Sequence, residues 1–173
     1  MKILLLLAIL GANILSGCAT GVPKPTVKCP FRPQSQSSAI CAKAVKVDLG
    51  PVDQVVGYPP IKDLKMLLVS EKKAEMFLTK SGEFQNRRQK TEYLISQFSD
   101  DPLVIKAVSD DKGDIFLEVP PGRYLLCAID KSFAPSASYV SATEFVTFKK
   151  GSITKVLITH LEWGDNISLQ WQK

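Results

Sequence analysis

From residue 45 onward, the chain divides into short segments rich in β-branched and aromatic residues, with Gly, Pro, Asp or Asn between them. In the segment DIFLEV at 114–119, apolar residues at every second position alternate with polar or outward-facing ones, which is the period of a β-strand. Short strands at this spacing are typical of antiparallel β-sandwiches and barrels. We therefore predict an all-β fold with candidate strands at 45–49, 52–58, 64–70, 74–79, 103–108, 114–119, 123–130, 142–148, 153–161 and 167–171.

One segment, residues 82–98, does not fit the strand pattern. It is polar for nine residues and then becomes apolar near Tyr93. At helical spacing, Phe84, Ile95 and Phe98 would share one face with two polar residues. A short inserted helix and a long hairpin arm both remain open here, and the spacing favours the helix.

The stretch SDDKGDIFLEVPPGRY at 109–124 contains two turns with a strand between them. In the first turn, the Asp110 carboxylate can cap backbone amides and Gly113 can take a positive φ. In the second, Pro121 presets one central φ and Gly122 supplies the next. A new strand begins directly afterwards at Arg123. We therefore predict a β-hairpin in this stretch.

This stretch resembles the T-D-x-x-G-x-F-x-F-x-x-L-x-x-G-x-Y signature of carboxypeptidase-regulatory-like and collagen-adhesin B-type domains. Ser109 and Asp110 stand at its Thr-Asp, Gly113 and Gly122 at its two glycines, and Tyr124 at its tyrosine. The resemblance covers about 100 of the residues after the signal segment. It implies a Greek-key sandwich of the transthyretin-like (prealbumin-like) type. Domains of this type bind, space or brace partners, and a related sandwich forms the lipoprotein of the type VI secretion system.

Two features depart from the family pattern. Ile115 and Leu117 stand at the inward Phe pair of the signature, which leaves Phe116 on the outward face. The segment 83–98 is also longer than the usual connection in the family. We expect an inserted helix or arm that packs on Phe116 and so accounts for both departures.

The first residues carry an export signal. Lys2 precedes an unbroken apolar run over 3–10, which is too short for a membrane span and has the length of a secretory signal. The run ends in Leu15-Ser16-Gly17-Cys18, which resembles the lipobox of bacterial lipoproteins. The resemblance implies that Cys18 becomes the first mature residue and carries acyl chains, which anchor a protein firmly when two or more are present.

The expected organisation follows from this signal. We predict a signal peptide at 1–17, a lipidated Pro-rich tether at 18–44 that holds the domain off the bilayer, and a β-sandwich at 45–173. The expected location is the cell envelope. Ala19 rather than Asp follows the lipidated cysteine, and by resemblance to proteobacterial sorting this favours the outer membrane in a Gram-negative source.

The other three cysteines have separate roles. Cys29 and Cys41 are twelve residues apart in the tether, and an oxidising compartment would let them pair. Closing a loop of that size contributes about 3 kcal/mol in the chain-entropy model. Cys127 lies in an apolar strand segment, which predicts a buried free thiol.

The charge pattern argues against nucleic acid as a partner. The net charge of +5 includes Lys2, so the mature side chains sum to about +4, and these charges are dispersed. The densest basic cluster is Arg87-Arg88 with Lys90, and it lacks the concentrated stripe that nucleic-acid binding needs. This cluster predicts a solvated basic face.

The sequence contains little that indicates catalysis, a metal or a cofactor, and we expect none. His160 is the single histidine and lies in a strand, which is typical of a structural residue. The cluster of Asp110, Asp111 and Asp114 lacks calcium-loop spacing and is explained by turn chemistry. A small hydrolase built on Cys127 and His160, or a redox protein built on the Cys29/Cys41 pair, is a remote alternative.

The remaining candidates for recognition are aromatic residues near predicted strand ends, namely Phe133, Tyr139 and Trp163. Exposed aromatics at such positions can bind a protein or a glycan. The favoured function is a lipid-anchored, non-enzymatic envelope lipoprotein whose sandwich binds or braces a protein partner, as an accessory of secretion or surface assembly. The alternative is a glycan- or peptidoglycan-binding lipoprotein.

Overall fold

Two β-sheets pack face to face in the computed structural model, which describes residues 21–130, 140–161 and 167–173. The predicted β-sandwich is confirmed. Within the described residues, a short 3₁₀ turn lies at Pro51–Asp53. The other elements are β1 (Ser38–Leu49), β2 (Val55–Gly57), β3 (Lys65–Ser70), α1 (Glu71–Ser81), α2 (Arg87–Phe98), β4 (Ile105–Val108), β5 (Asp114–Val119), β6 (Gly122–Asp130), β7 (Val140–Phe148), β8 (Ile153–Leu161) and β9 (Ile167–Gln172).

The strands divide into two sheets, which we call sheet I and sheet II. Sheet I has the order β2-β1-β8-β9, and β5 pairs with the first half of β1 on the same side as β2. Sheet II has the order β4-β3-β6-β7. Strands β1 and β8 run parallel, whereas the other described pairs are antiparallel. The sequence pattern had predicted an antiparallel sandwich. Among the described strands, the structure departs from that prediction at this one parallel pair.

The main core lies between the sheets. Alternate residues of β1 (Ile40, Ala42 and Ala44) face alternate residues of β6 (Leu126 and Ala128), and all five are fully buried. Ile115 also lies in this core, and Leu117 packs against it, as the strand alternation predicted. Burial of a large aliphatic side chain contributes about 1.5–3 kcal/mol, so this layer supplies much of the stability.

A second apolar cluster joins the two helices to the outer face of sheet II. Phe77 of α1 and Leu94 of α2 pack on Leu125 and Cys127 of β6. The strand predicted at 74–79 is therefore wrong, because this segment lies in α1. Ala74 and Phe77, three residues apart, form the buried side of the helix, whereas the short run of β-type residues had suggested a strand.

The segment 82–98 contains the helix that the spacing favoured. Helix α2 begins after Asn86, whose side chain accepts a hydrogen bond from the Gln89 amide at 3.0 Å, as is usual for an N-cap. The helix ends at Phe98, which is buried against sheet II. Among the described residues, neither helix has the length and apolar composition needed to cross a bilayer.

The predicted hairpin at 109–124 is wrong. Strand β5 pairs with β1 in sheet I, whereas β6 pairs with β3 and β7 in sheet II. Pro120 and Pro121 thus carry the chain from one sheet to the other, and the turn at Asp110 likewise joins β4 of sheet II to β5 of sheet I. The turn residues that the sequence identified serve connections between sheets, because local turn chemistry does not determine which strands pair.

The first strand is longer than expected. It begins at Ser38 and not at residue 45, and its N-terminal half pairs with both β5 and β8. The strand predicted at 52–58 is reduced to β2, because a 3₁₀ turn at Pro51–Asp53 interrupts it. Short side chains such as Ala42 made the first half of β1 resemble tether, yet these are the side chains that fit between the two sheets.

Candidate functional site

The N-terminal segment is bound to the sandwich over most of its described length. Residues 24–37, which we call the strap, cross the outer face of sheet I from β9 to β5. At β9, the Val27 amide donates to Gln172 Oε1 at 2.8 Å and Gln172 Nε2 donates to the Pro25 carbonyl at 3.1 Å. Lys24 Nζ donates to Gln170 Oε1 at 3.4 Å. One glutamine of β9 therefore holds two backbone groups of the strap.

The middle of the strap is joined covalently to β1. Cys29 forms a disulfide with Cys41, with a Cα–Cα distance of 5.5 Å. Next to it, Val27 packs in a buried cluster with Val45 of β1 and Leu157 of β8. Cys41 is fully buried in this cluster, so the disulfide lies beneath the strap and not in a solvent-exposed loop.

The far end of the strap covers β5. The Phe31 ring packs edge-on against Phe116, with ring centroids 6.4 Å apart. Glu118 accepts hydrogen bonds from the Ser37 hydroxyl and from the Gln34 amide at 3.0 Å, and these bonds lower the pKa of its carboxyl. The expectation that an inserted helix packs on Phe116 is therefore wrong, because the strap does so and the helices lie on the other sheet. Residues 24–37 lie along the sheet and do not extend away from it as a spacer would.

The turn at Asp110 has the geometry that its residues predicted. Asp110 Oδ1 accepts hydrogen bonds from the backbone amides of Lys112 at 2.9 Å and Asp114 at 2.8 Å. Gly113 has a φ of +78°, and its amide donates to the Asp110 carbonyl at 2.9 Å. The Asp114 amide, followed by that of Lys112, lowers the pKa of Asp110.

The neighbouring carboxylates are engaged with lysines. Asp111 pairs with Lys62 at 2.7 Å, and Asp114 pairs with Lys43 at 3.0 Å. Within the described ranges, no group of three or more His, Cys, Asp or Glu side chains is arranged to hold a metal ion. The arrangement of these carboxylates is that of a closed turn.

The second connection places three further signature residues. Pro121 is exposed in the link between the sheets, and Gly122 begins β6 with a φ of +157°. The Tyr124 ring packs against Phe148 with ring centroids 5.7 Å apart, and burial raises the pKa of its hydroxyl. This tyrosine seals the end of the core where the chain crosses between sheets.

The single histidine lies in the core with a carboxylate partner that the sequence did not reveal. His160 Nδ1 lies 2.9 Å from Asp130 Oδ2, and both side chains are buried. His160 belongs to β8 of sheet I and Asp130 to β6 of sheet II, so the pair links the two sheets. A buried carboxylate that orients an imidazole resembles two members of a catalytic triad. Here the His160 side chain is fully buried and the Asp130 side chain is 1% exposed.

Cys127 and His160 are not brought together. Cys127 faces the helices on the outer side of sheet II, whereas His160 faces the core between the sheets. Burial raises the pKa of the Cys127 thiol to about 12, so it remains a neutral thiol at physiological pH. The arrangement offers neither a thiolate nor a neighbouring base for nucleophilic chemistry.

A shallow depression of about 640 Å³ lies along α2. Phe84 and Tyr93 form its apolar part, with ring centroids 5.1 Å apart. Its polar residues include Glu83, Gln85 and Gln89. Sequence analysis missed this feature, although the change from polar residues to Tyr93 within 82–98 was its signal.

Four of the predicted site residues lie outside the described residues: Cys18, Phe133, Tyr139 and Trp163. The strands next to three of them are described. Strand β6 ends where β7 begins, and β8 ends where β9 begins, at the same end of the sandwich as the end of β1. We call this the loop end. The segments 131–139 and 162–166 therefore both connect strands at the loop end.

Comparison with known proteins gives structural similarities without a family. No family model matches the chain, and no curated relative matches it. The crystal structure of GBS52, a minor pilin of Streptococcus agalactiae, is similar at 18% identity and a TM-score of 0.43, over 73% of this chain and 44% of the pilin. The T6SS lipoprotein TssJ1 of Pseudomonas aeruginosa is similar at 13% identity and a TM-score of 0.36, over 80% and 98%. Similarities this weak carry no functional conclusion.

Proposed function

We propose that the protein is a lipid-anchored, non-enzymatic protein of the cell envelope whose β-sandwich binds or braces a protein partner in a secretion or surface assembly. The observation that carries the proposal is the junction between the lipobox and the strap. Only five residues separate Cys18 from Lys24, where the strap meets β9. A lipid on Cys18 would thus be coupled directly to the sandwich.

The strap is suited to transmit mechanical load between a membrane anchor and the domain. It is held by side-chain hydrogen bonds at β9, by the Cys29–Cys41 disulfide at β1 and by aromatic packing at β5. A pull on the anchor would act on a covalent link to the centre of sheet I. A brace needs such an attachment, whereas a domain that diffuses on a flexible tether does not.

The non-enzymatic part of the proposal rests on the separation of the reactive groups. Cys127 and His160 lie on different sides of sheet II, and the Asp130–His160 pair is closed off from solvent. We place the partner contact at the loop end, where Phe133, Tyr139 and Trp163 belong to connecting segments.

The test begins with the anchor. The full chain is expressed in a Gram-negative host, purified from membranes in mild detergent, and analysed by mass spectrometry of its N-terminal peptide. We expect cleavage before Cys18 and acyl chains on it, and a Cys18→Ala variant that remains unprocessed. An intact or unacylated N-terminus would overturn the proposed anchoring.

The partner is then sought by crosslinking in intact envelopes of the source cell. We expect one protein to be recovered at a constant ratio with the wild-type chain, and to be lost with Tyr139→Ala/Trp163→Ala. A control variant in the depression along α2, Phe84→Ala, should still recover the same protein. Recovery of no stoichiometric protein would contradict the bracing function.

Glycan or peptidoglycan binding is the alternative that the same aromatics support. Its test is retention of the full chain on purified cell-wall sacculi, compared with Tyr139→Ala/Trp163→Ala. Retention that disappears in this variant, together with an empty crosslinking result, would favour the glycan alternative over a protein partner.

A further inference from the structure

One edge of sheet II is long, regular and unpaired. The sheet ends at β7 (Val140–Phe148), which pairs with β6 over nine consecutive positions without a shift in register. Among the residues that the structure describes, no strand pairs with the other side of β7. Alternate residues of an edge strand point their N–H and C=O groups outward, so β7 presents about eight such groups over roughly 30 Å.

The other described edge strands are shorter. Strands β2 and β4 have three and four residues, and Lys106 of β4 is exposed. Strands β5 and β9 have six residues each, and the strap binds their side chains at Glu118 and Gln172. Natural proteins commonly block a long edge with a lysine, a proline or a bulge, and β7 has none of these. Its edge is therefore left open to pairing.

The one charged residue of β7 is turned toward the neighbouring sheet and is accessible to a partner. Glu144 is exposed, and its Oε1 accepts a hydrogen bond from Trp171 Nε1 of β9 at 2.9 Å. Among the described residues, Glu144 forms no ion pair. Trp171 is 38% exposed, and Val146 lies two residues further along the same face of β7. A chain lying beside β7 thus meets a carboxylate with apolar side chains next to it.

This carboxylate also bears on which chain can occupy the edge. Full antiparallel pairing of two β7 strands from two copies of the protein would place their middle residues opposite each other, and the middle residue is Glu144. Like charges directly opposite each other oppose strand pairing, whereas opposite charges favour it. A different chain with a basic residue at this position fits the edge better than a second copy does.

We propose that β7 accepts an extended segment of the protein partner as an added strand of sheet II, with a basic side chain of that segment at Glu144. In this mode of recognition the backbone groups of the edge provide affinity, and the flanking side chains provide specificity. The inference rests on the partner function proposed above and names where the partner binds. Tyr139 immediately precedes β7 in the sequence, so a contact at the loop end can continue along this edge.

The first experiment locates the contact by photo-crosslinking the full chain in intact envelopes of the source cell. A photo-crosslinking amino acid replaces Thr147, an exposed residue of β7, or Thr79, an exposed residue of α1 that serves as the control. We expect Thr147 to give one adduct with a different protein and Thr79 to give none. Mass spectrometry of the adduct should identify a segment without proline that contains a lysine or arginine.

The second experiment tests strand addition with a synthetic peptide of the crosslinked segment. On binding, amide hydrogen exchange of the purified protein should slow in residues 140–148 and stay unchanged in residues 167–172. Glu144→Gln keeps an oxygen for Trp171 and should weaken the binding of the peptide about threefold, and Glu144→Lys should weaken it about tenfold. Glu75→Lys makes the same charge reversal at an exposed position of α1 and should leave the affinity unchanged.

The results separate this inference from the partner function itself. If chemical crosslinking recovers a partner but Thr147 gives no adduct, or if the peptide binds without protecting residues 140–148, strand addition is overturned and the partner function stands. An adduct between two copies of the protein would also overturn the inference, because the edge would then serve self-association. If neither kind of crosslinking recovers a protein, both proposals fail.

Discussion

Gly113 provides a sharp test of how the turn before β5 is built, because a side chain there meets two obstacles. Its φ of +78° lies in the left-handed region, which costs a residue with a Cβ about 1–2 kcal/mol. A Cβ would also overlap the carbonyl oxygen of Ala44 and lie 3.3 Å from its carbonyl carbon and 3.2 Å from Pro60 Cβ. The backbone of β1 or of the turn must therefore move.

The movement would disturb two buried backbone hydrogen bonds. The Ala44 amide donates to the Gly113 carbonyl at 2.7 Å, and the Ala44 carbonyl accepts from the Ile61 amide at 3.0 Å. A buried group left without a partner costs about 1–3 kcal/mol. Adding this to the left-handed strain, we expect Gly113→Ala to lower the free energy of unfolding by roughly 2–5 kcal/mol.

Gly151→Ala is the matched control. Gly151 has a φ of +71°, almost the same conformation, but a Cβ there meets no atom within 4 Å. This variant should lose only about 1 kcal/mol, since the strain is partly offset by a less flexible unfolded chain. Urea unfolding followed by circular dichroism measures both. With an m-value of about 2 kcal/mol per molar, the urea midpoints should fall by about 1–2.5 M for Gly113→Ala and by about 0.5 M for the control. Equal shifts would refute the steric argument.

Three further predictions concern the strap, the buried pair and the turn carboxylate. Cys29→Ser should lower the free energy of unfolding by about 3 kcal/mol, and dithiothreitol should then have no further effect on its urea midpoint, whereas it should lower that of the wild type. Asp130→Ala should cost about 3 kcal/mol because it leaves the His160 ring buried without this carboxylate, and Asp130→Asn should cost less in the same assay. The pKa of Asp110 is lowered from 3.8, so its contribution to stability is present above about pH 4 and is lost as the pH falls below it. The urea midpoint should thus fall less between pH 6 and pH 3 in Asp110→Asn than in the wild type.

The strands could be predicted wherever one face of the strand is buried and the other is exposed to solvent. Strands β5 and β9 lie where alternation predicted them, because their inner residues form the core between the sheets. Helix α1 was missed because its sequence is compatible both with the two-residue period of a strand and with the 3.6-residue period of a helix. Met76 and Leu78 are exposed and fit a strand pattern with Ala74, whereas the buried positions Ala74 and Phe77 fit only a helix.

Pairing between distant segments could not be predicted from local signals. The residues Asp110, Gly113, Pro121 and Gly122 identify turns, but a turn within a sheet and a connection between sheets use similar residues. The partner of His160 was missed for the same reason. Asp130 lies thirty residues away and approaches the histidine only because β6 and β8 face each other across the core.

The strap was missed because its composition is that of a linker. Its contacts are made by backbone groups and by a few side chains separated by polar residues, so no periodic apolar face marks it. Its one recognisable signal was the pair Cys29 and Cys41. The second cysteine lies in a strand, and the disulfide holds the first cysteine against the sheet. A disulfide from a linker to a buried strand position is thus evidence that the linker lies against the fold.

The coverage of both sheets restricts where this protein can act. The strap covers the outer face of sheet I, and the two helices cover the outer face of sheet II. A β-sandwich with both faces covered has only its edges and its two ends left for recognition. The loop end, where β1, β6 and β8 all end, is one of these ends, and it is where we propose that a partner binds.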